Sequence, residues 1–324
     1  MSEPDHIVAS LLGTAIADVA VTGTTRRGTR TITTATVGPE GSAVVLKTYG
    51  PADSEGDGTW AAQIGRQLEE CGMRAPASVR VAPTLGVRPG ALLCALAPGR
   101  SWLATVGTAS AGQAAEAIGG WLHTLQSITL DLPASTTRGV QELTAQTGAL
   151  GQIAGPLSTR LARASQTILA GLAAPQPLVT SHGNLHPDNL FVDELDGVAV
   201  VTAIDLDTVA AREAAFDLGY GVAQLLVRSR RRPGLAQGAA AAQALLGGYR
   251  KHGGVPESDR IVLQAARGLL QAAHYEAVAM RGGHSALQRD LALVEALLDH
   301  GLEALPLLTT DQRRPSTRNE GHRG

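Results

Sequence analysis

Segments rich in β-branched residues occupy the chain up to residue 96, Ala- and Leu-rich helical segments fill most of the rest, and one polar loop with a short hairpin interrupts the helices. Together these predict an α+β chain in two parts, a small antiparallel sheet with one helix followed by a larger helical region.

The strands come first. After an initial helical stretch, Val19 to Thr24, Arg30 to Val37 and Ala43 to Thr48 read as three strands of a meander, with GPEGS turning the chain between the last two. Thr59 to Glu70 reads as a helix, because Trp60, Ile64 and Leu68 recur on one face and Asp57 or Thr59 offers a cap. Val79 to Val87 and Ala91 to Leu96 read as two more strands, completing a five-stranded sheet. APGR, at Ala97 to Arg100, marks a boundary.

Helices are then predicted over Gly112 to Gln126, Gln141 to Ile153, Leu157 to Leu172, Ala236 to Tyr249, Ser258 to Met280 and Ser285 to Leu302. Leu190 to Val192 and Val198 to Ile204 are the strand-like interruptions. From residue 309 the tail is polar and aperiodic, and disorder is expected there.

With 324 residues the chain is long enough to bury a true core. A formal charge of −2 gives no reason to expect nucleic acid or a membrane surface as partner. Cys71 and Cys94 stand far apart outside any CxxC pattern, so neither a disulfide framework nor a structural zinc site is supported. The start carries acids and no basic leader, and no apolar run approaches the roughly 20 residues that span a bilayer. A soluble cytoplasmic protein is expected. Of the 27 basic residues only Lys47 and Lys251 are lysines, which gives the position of Lys47 weight.

The chemistry concentrates in SHGNLHPDNLFV, Ser181 to Val192, and in AIDLD, Ala203 to Asp207. Asn189 offers an amide oxygen and Asp205 a carboxylate, both hard ligands suited to magnesium. Asp196 and Gly197 form a two-residue turn signal that would fold the intervening hairpin and bring the two ligands to neighbouring strand ends. Phosphoryl transfer needs such a metal, a cation on the phosphates and a group that orients the attacking hydroxyl. Lys47, in VVLKTYG at a strand end, is placed to supply the cation. GTTRRG, Gly23 to Gly28, is a glycine-bounded hairpin able to cover phosphates with backbone amides. No Walker loop is present, and His182 with His186 lacks the Glu and the helix of a zinc HExxH site.

These residues resemble the aminoglycoside phosphotransferase and choline kinase family of protein-kinase-like enzymes, whose loop is similar to HGDLHPGN followed by an IDW or IDF segment. LLCALAPGR at Leu92 to Arg100 looks like the family's hinge, WLHTL at Trp121 to Leu125 like its LHxL helix, and FDLGYG at Phe216 to Gly221 and LLGGYRKHG at Leu245 to Gly253 extend the match. The resemblance implies a bilobal fold, with ATP and Mg2+ between a nucleotide-binding lobe at residues 1–96 and a helical lobe at 97–308 that holds a small-molecule hydroxyl acceptor. It carries Lys47 to the phosphates, Leu96 and Gly23 with Gly28 to the nucleotide, Asn189 and Asp205 to magnesium, and His182 and Asp217 to bracing the loop.

Three departures stand against this match. Asn184 occupies the position of the family's catalytic Asp, and an amide cannot take a hydroxyl proton. Gln63, or Ala61, occupies the position of the helix Glu that pairs with the lysine. Asp188 replaces a glycine, and Asp188 or His186 is expected to substitute in part for the missing base. Two alternatives follow: a pseudokinase that binds nucleotide or a protein partner, and an enzyme that phosphorylates Ser or Thr of a peptide. RSRRRPG at Arg228 to Gly234 reads as a solvated basic loop. Glu276, Asp290, Asp299 and Glu303 are the acids available to line a pocket for a cationic acceptor.

Overall fold

The computed structural model describes residues 2–27, 30–50, 58–75, 77–230, 233–280 and 283–310. The chain opens with α1 (Glu3–Leu12) and the meander β1 (Val19–Arg27), β2 (Arg30–Val37) and β3 (Ser42–Tyr49), followed by α2 (Thr59–Glu70). Then come β4 (Val79–Val81), β5 (Thr84–Arg88), β6 (Ala91–Ala95), β7 (Arg100–Ser101) and the short α3 (Trp102–Thr105). Three long helices follow, α4 (Ala111–Ser127), α5 (Thr136–Ala154) and α6 (Ser158–Leu172). The polar segment supplies β8 (Leu178–Ser181), β9 (Leu190–Leu195), β10 (Val198–Ala203) and β11 (Ala210–Glu213). The chain continues through α7 (Ala215–Ser229), α8 (Leu235–Lys251), α9 (Ser258–His274), α10 (Gly283–His300) and α11 (Ala304–Thr310).

The predicted five-stranded sheet forms in the order β1-β2-β3-β6-β5, antiparallel throughout. Its alternating Val, Leu and Thr residues place Ala35, Val44, Leu46 and Leu93 against α1 in a small apolar core. Val79 to Val87 is two strands rather than one. Pro83 cannot donate to a ladder, so the chain breaks there and β4 joins β10 in parallel, beside β9 and β7. Gly23 lies inside β1, where a bulge after Val21 shifts the register. It is therefore not in the turn; Gly28, with the rest of that turn, lies outside the described residues. Gly58 caps α2 at φ 85°, with Thr59 as the first helical residue, and Asp57 is not among the described residues.

The larger core joins α2 to the helices of the second part. Three helices fall outside the predicted ones, the short α3 and α11 and the long α7, which carries Gly219 and Gly221. Glycine is needed in α7 for close packing, since a Cβ on Gly219 would stand 2.5 Å from the Cβ of Gln264 on α9. Helix α9 ends at His274 and widens into a π-helical turn over Tyr275–Ala279. Residues 309 and 310 complete α11, and the rest of the predicted disordered tail lies outside the described residues. No helix among the described residues is long and apolar enough to cross a membrane.

Candidate active site

Hairpin β9-β10 pairs Leu190 with Ala203 across a turn in which Asp196 and Gly197 both take positive φ, 52° and 77°. This is the expected two-residue turn. It brings the residues flanking the hairpin, Asn189 and Asp205, side by side, with the Ile204 amide donating to the Asn189 carbonyl at 2.9 Å. Asp205 then turns left-handed, φ 63° and ψ 58°, which aims its carboxylate back toward β3.

Lys47, on β3, reaches across to ion-pair with both Asp205 and Asp207. Asp207, the last residue of the AIDLD segment, joins them beyond the site residues expected from the sequence. Its side chain is only 5 % exposed, accepts from Arg30 at 2.9 Å and from the Tyr49 hydroxyl at 3.0 Å, and gathers the cations of the sheet. Arg30 and Tyr49 face each other in the β2-β3 register, so one rung of that ladder supplies both partners. Burial is the largest influence on the Asp205 carboxyl and pushes its pKa up. The Lys47 charge and hydrogen bond, with Arg30, outweigh it and hold the group below the usual carboxylate value. Burial, then Asp207, pushes the Tyr49 phenol far above its ordinary value.

The loop between β8 and β9 is braced from beneath. Asp217, wholly buried at the start of α7, accepts from Ser181 Oγ at 2.9 Å, from the His182 amide at 2.7 Å and from the Gly183 amide at 2.9 Å. His182, also wholly buried, donates from Nε2 to the Ile204 carbonyl at 3.0 Å while Nδ1 accepts from the Asn184 amide at 3.3 Å, an arrangement that fixes one neutral tautomer. Asn184 presents its amide to the Asp205 carboxylate, Nδ2 to Oδ2 at 3.4 Å, and accepts on its backbone oxygen from Asn189 Nδ2 at 3.1 Å. That last bond leaves the amide oxygen of Asn189 as its ligand atom.

These groups open onto a cleft of about 630 Å³ between the five-stranded sheet and the hairpin. Leu96, with Ala95 and Ala97, lines it where the chain passes out of the sheet, and Lys47, Asp188, Asn189 and Asp205 line its polar end. Cys94 lines it too, and burial pushes its thiol up to about 11. Gln63 is not in this group: it faces solvent on α2, while Ala61 lines the cleft. The partners of Lys47 are Asp205 and Asp207, so no helix carboxylate is required to hold it. His186 does not face the cleft either; its Nε2 accepts from Arg228 Nε at 2.9 Å in a separate cavity. Among the described residues no three His, Cys, Asp or Glu side chains gather as a metal cage. One carboxylate and one amide oxygen fit magnesium, which takes few protein ligands and keeps water or phosphate for the rest.

Fold and cleft together define a protein-kinase-like phosphotransferase architecture, an antiparallel sheet over a helical part with polar groups converging between them. The chain matches the phosphotransferase enzyme family, APH, over residues 28–255, and it belongs to that family. Solved structures share the fold. It is similar to APH(2")-IIa, solved as a streptomycin-ATP ternary complex, at 12 % identity and a TM-score of 0.62, covering 91 % of this chain and 98 % of that one. It is also similar to choline kinase from Cryptosporidium parvum Iowa II, at 13 % identity and a TM-score of 0.61 over 94 % and 97 %. Spectinomycin phosphotransferase APH(9)-Ia, solved with ADP and spectinomycin, matches at 11 % identity and a TM-score of 0.58 over 95 % and 97 %. No curated protein matches the chain closely enough to count as a relative.

Proposed function

We propose that this protein transfers the γ-phosphoryl group of ATP to a hydroxyl of a small molecule. The observation that supports it most is the convergence of Lys47 from the sheet with Asn189 and Asp205 from the hairpin at one end of one cleft. The nucleotide base lies against Leu96 and its neighbours, with residues up to about 96 forming the nucleotide side and the helices after 97 the acceptor side. Lys47 neutralises phosphate charge. Asp205 and Asn189 would hold Mg2+, which would supply charge screening for the phosphates.

The acceptor oxygen bonds the γ-phosphorus as the bond from that phosphorus to the bridging oxygen breaks, and ADP leaves. The hydroxyl proton passes to water or to the transferred phosphoryl oxygens, because Asn184 has no basic atom; Asp188 is the carboxylate that the loop itself offers near this point. His186 is a poor base, since its Nε2 already accepts from a guanidinium. A positioned base contributes about 10² to 10⁴ in rate, whereas a loose transition state depends chiefly on positioning and charge. Transfer without the Asp is therefore slow rather than forbidden.

The bond from Asn184 to Asp205 favours a second reading, a pseudokinase that binds nucleotide and signals through a partner. Phosphate transfer from ATP to a panel of alcohols, by wild type, Asn184→Asp and Asp205→Ala, separates the two. Wild-type transfer abolished in Asp205→Ala supports the enzyme. Nucleotide binding with transfer only in Asn184→Asp supports the pseudokinase.

A further inference from the structure

A second cavity, of about 1250 Å³, opens beside the loop that builds the cleft. His186 lines this cavity, while Asp188 and Asn189 line the cleft, so one loop is a wall of both. Its floor comes from α7, α9 and α10, and its size suits a molecule larger than a simple amino alcohol.

The charge of that lining is the informative quantity. Arg228, Arg230 and Arg289 face it against a single lining carboxylate, Glu276. Glu276 is itself held by Arg230 at 3.9 Å and Arg289 at 3.6 Å, and Asp290, wholly buried, is paired to Arg230. Asp299 and Glu303, which might have completed an acidic pocket, are exposed and do not line the cavity. Even with Asp290 counted, positive charge is in excess. Among the described residues no carboxylate pairs with Arg228, whose guanidinium meets the His186 ring at 2.9 Å. RSRRRPG is thus not simply a solvated loop: Arg228 closes α7 and Arg230 turns into the cavity wall, while residues 231 and 232 lie outside the described residues.

We infer that this cavity holds the acceptor and that the acceptor is an anion, an alcohol whose body carries a carboxylate or a phosphate seated on Arg228 and Arg289. The inference rests on the phosphotransferase reading for the hydroxyl and on the cavity alone for the charge. A guanidinium offers forked donors that match either anion, and a polycation would meet like charge here. Val227, Leu235 and Leu293 give the rest of the lining an apolar character that suits a carbon skeleton.

The test is calorimetric binding of three matched probes, para-(hydroxymethyl)benzoate, its amide and para-(hydroxymethyl)benzylamine, with choline as a further cation, to the full chain. The carboxylate is expected to bind about tenfold tighter than the amide, with the amine and choline weakest. Arg228→Gln and Arg289→Gln, both at exposed side chains, each remove about tenfold from the carboxylate alone. No binding of the carboxylate, equal binding of the three, or preference for the amine or choline overturns the proposal. ATP binding with magnesium is measured on the same samples. Carboxylate binding without ATP binding overturns the phosphotransferase reading and leaves the anion site standing; ATP binding with preference for the amine does the reverse.

Discussion

Lys47 is held by Asp207 as well as by Asp205, and Asp207 is the more buried of the two, 5 % against 25 % exposed. Two carboxylates from one turn therefore fix the lysine at the polar end of the cleft before any ligand arrives. Asp207 also collects Arg30 and Tyr49, so its removal leaves two cations facing one acid. Asp207→Asn is expected to cost about 3 kcal/mol, since breaking a buried ion pair strands its partners. Urea unfolding measures this; a change below about 0.5 kcal/mol would mean that Asp205 alone holds the lysine.

Acid should weaken the same cluster. The Asp205 carboxyl sits below its ordinary value of 3.8 in the folded chain, so the unfolded chain binds that proton first. Its contribution is then fully present above about pH 4 and fades as pH falls through the folded value. The stability difference between wild type and Asp205→Asn, followed by urea unfolding, should be constant at neutral pH and shrink below pH 4. A difference that grows toward acid contradicts the assignment.

Gly183 is the loop's least replaceable residue. Its φ is +79°, and a Cβ there would stand 2.3 Å from the Thr208 carbonyl oxygen and 2.4 Å from Arg212 Nη1. Thr208 in turn donates to the His182 carbonyl at 2.9 Å, so the clash bears on the braced side of the loop. Gly183→Ala is expected to destabilise by about 3 kcal/mol or more. Gly148→Ala, on an open face of α5, serves as the control and should be neutral or stabilising.

Much of this was legible in the sequence because it is local. The meander follows from alternating Thr and Val, the hairpin from Asp196 and Gly197, and the loop residues from their spacing. What was not legible depends on neighbours distant in the chain. Gly219 resembles a helix breaker until α9 packs against it. Arg230 belongs to a basic run until Asp290, from α10, meets it. Gln63 stands in the expected helix, but the helical phase puts Ala61 toward the cleft and Gln63 toward water. Asp207 is the exception. It stands in AIDLD, two residues after Asp205, and that alternation is a local signal the sequence carries.

We propose that Lys47, Asn189 and Asp205 form a magnesium-nucleotide site. Its most direct test is calorimetric titration of ATP, with magnesium and with chelator, into wild type, Lys47→Met and Asp205→Asn. Magnesium should strengthen binding in wild type, Lys47→Met should weaken it about tenfold or more, and Asp205→Asn should be insensitive to magnesium. Equal affinity in all three proteins, or no effect of magnesium on wild type, contradicts it.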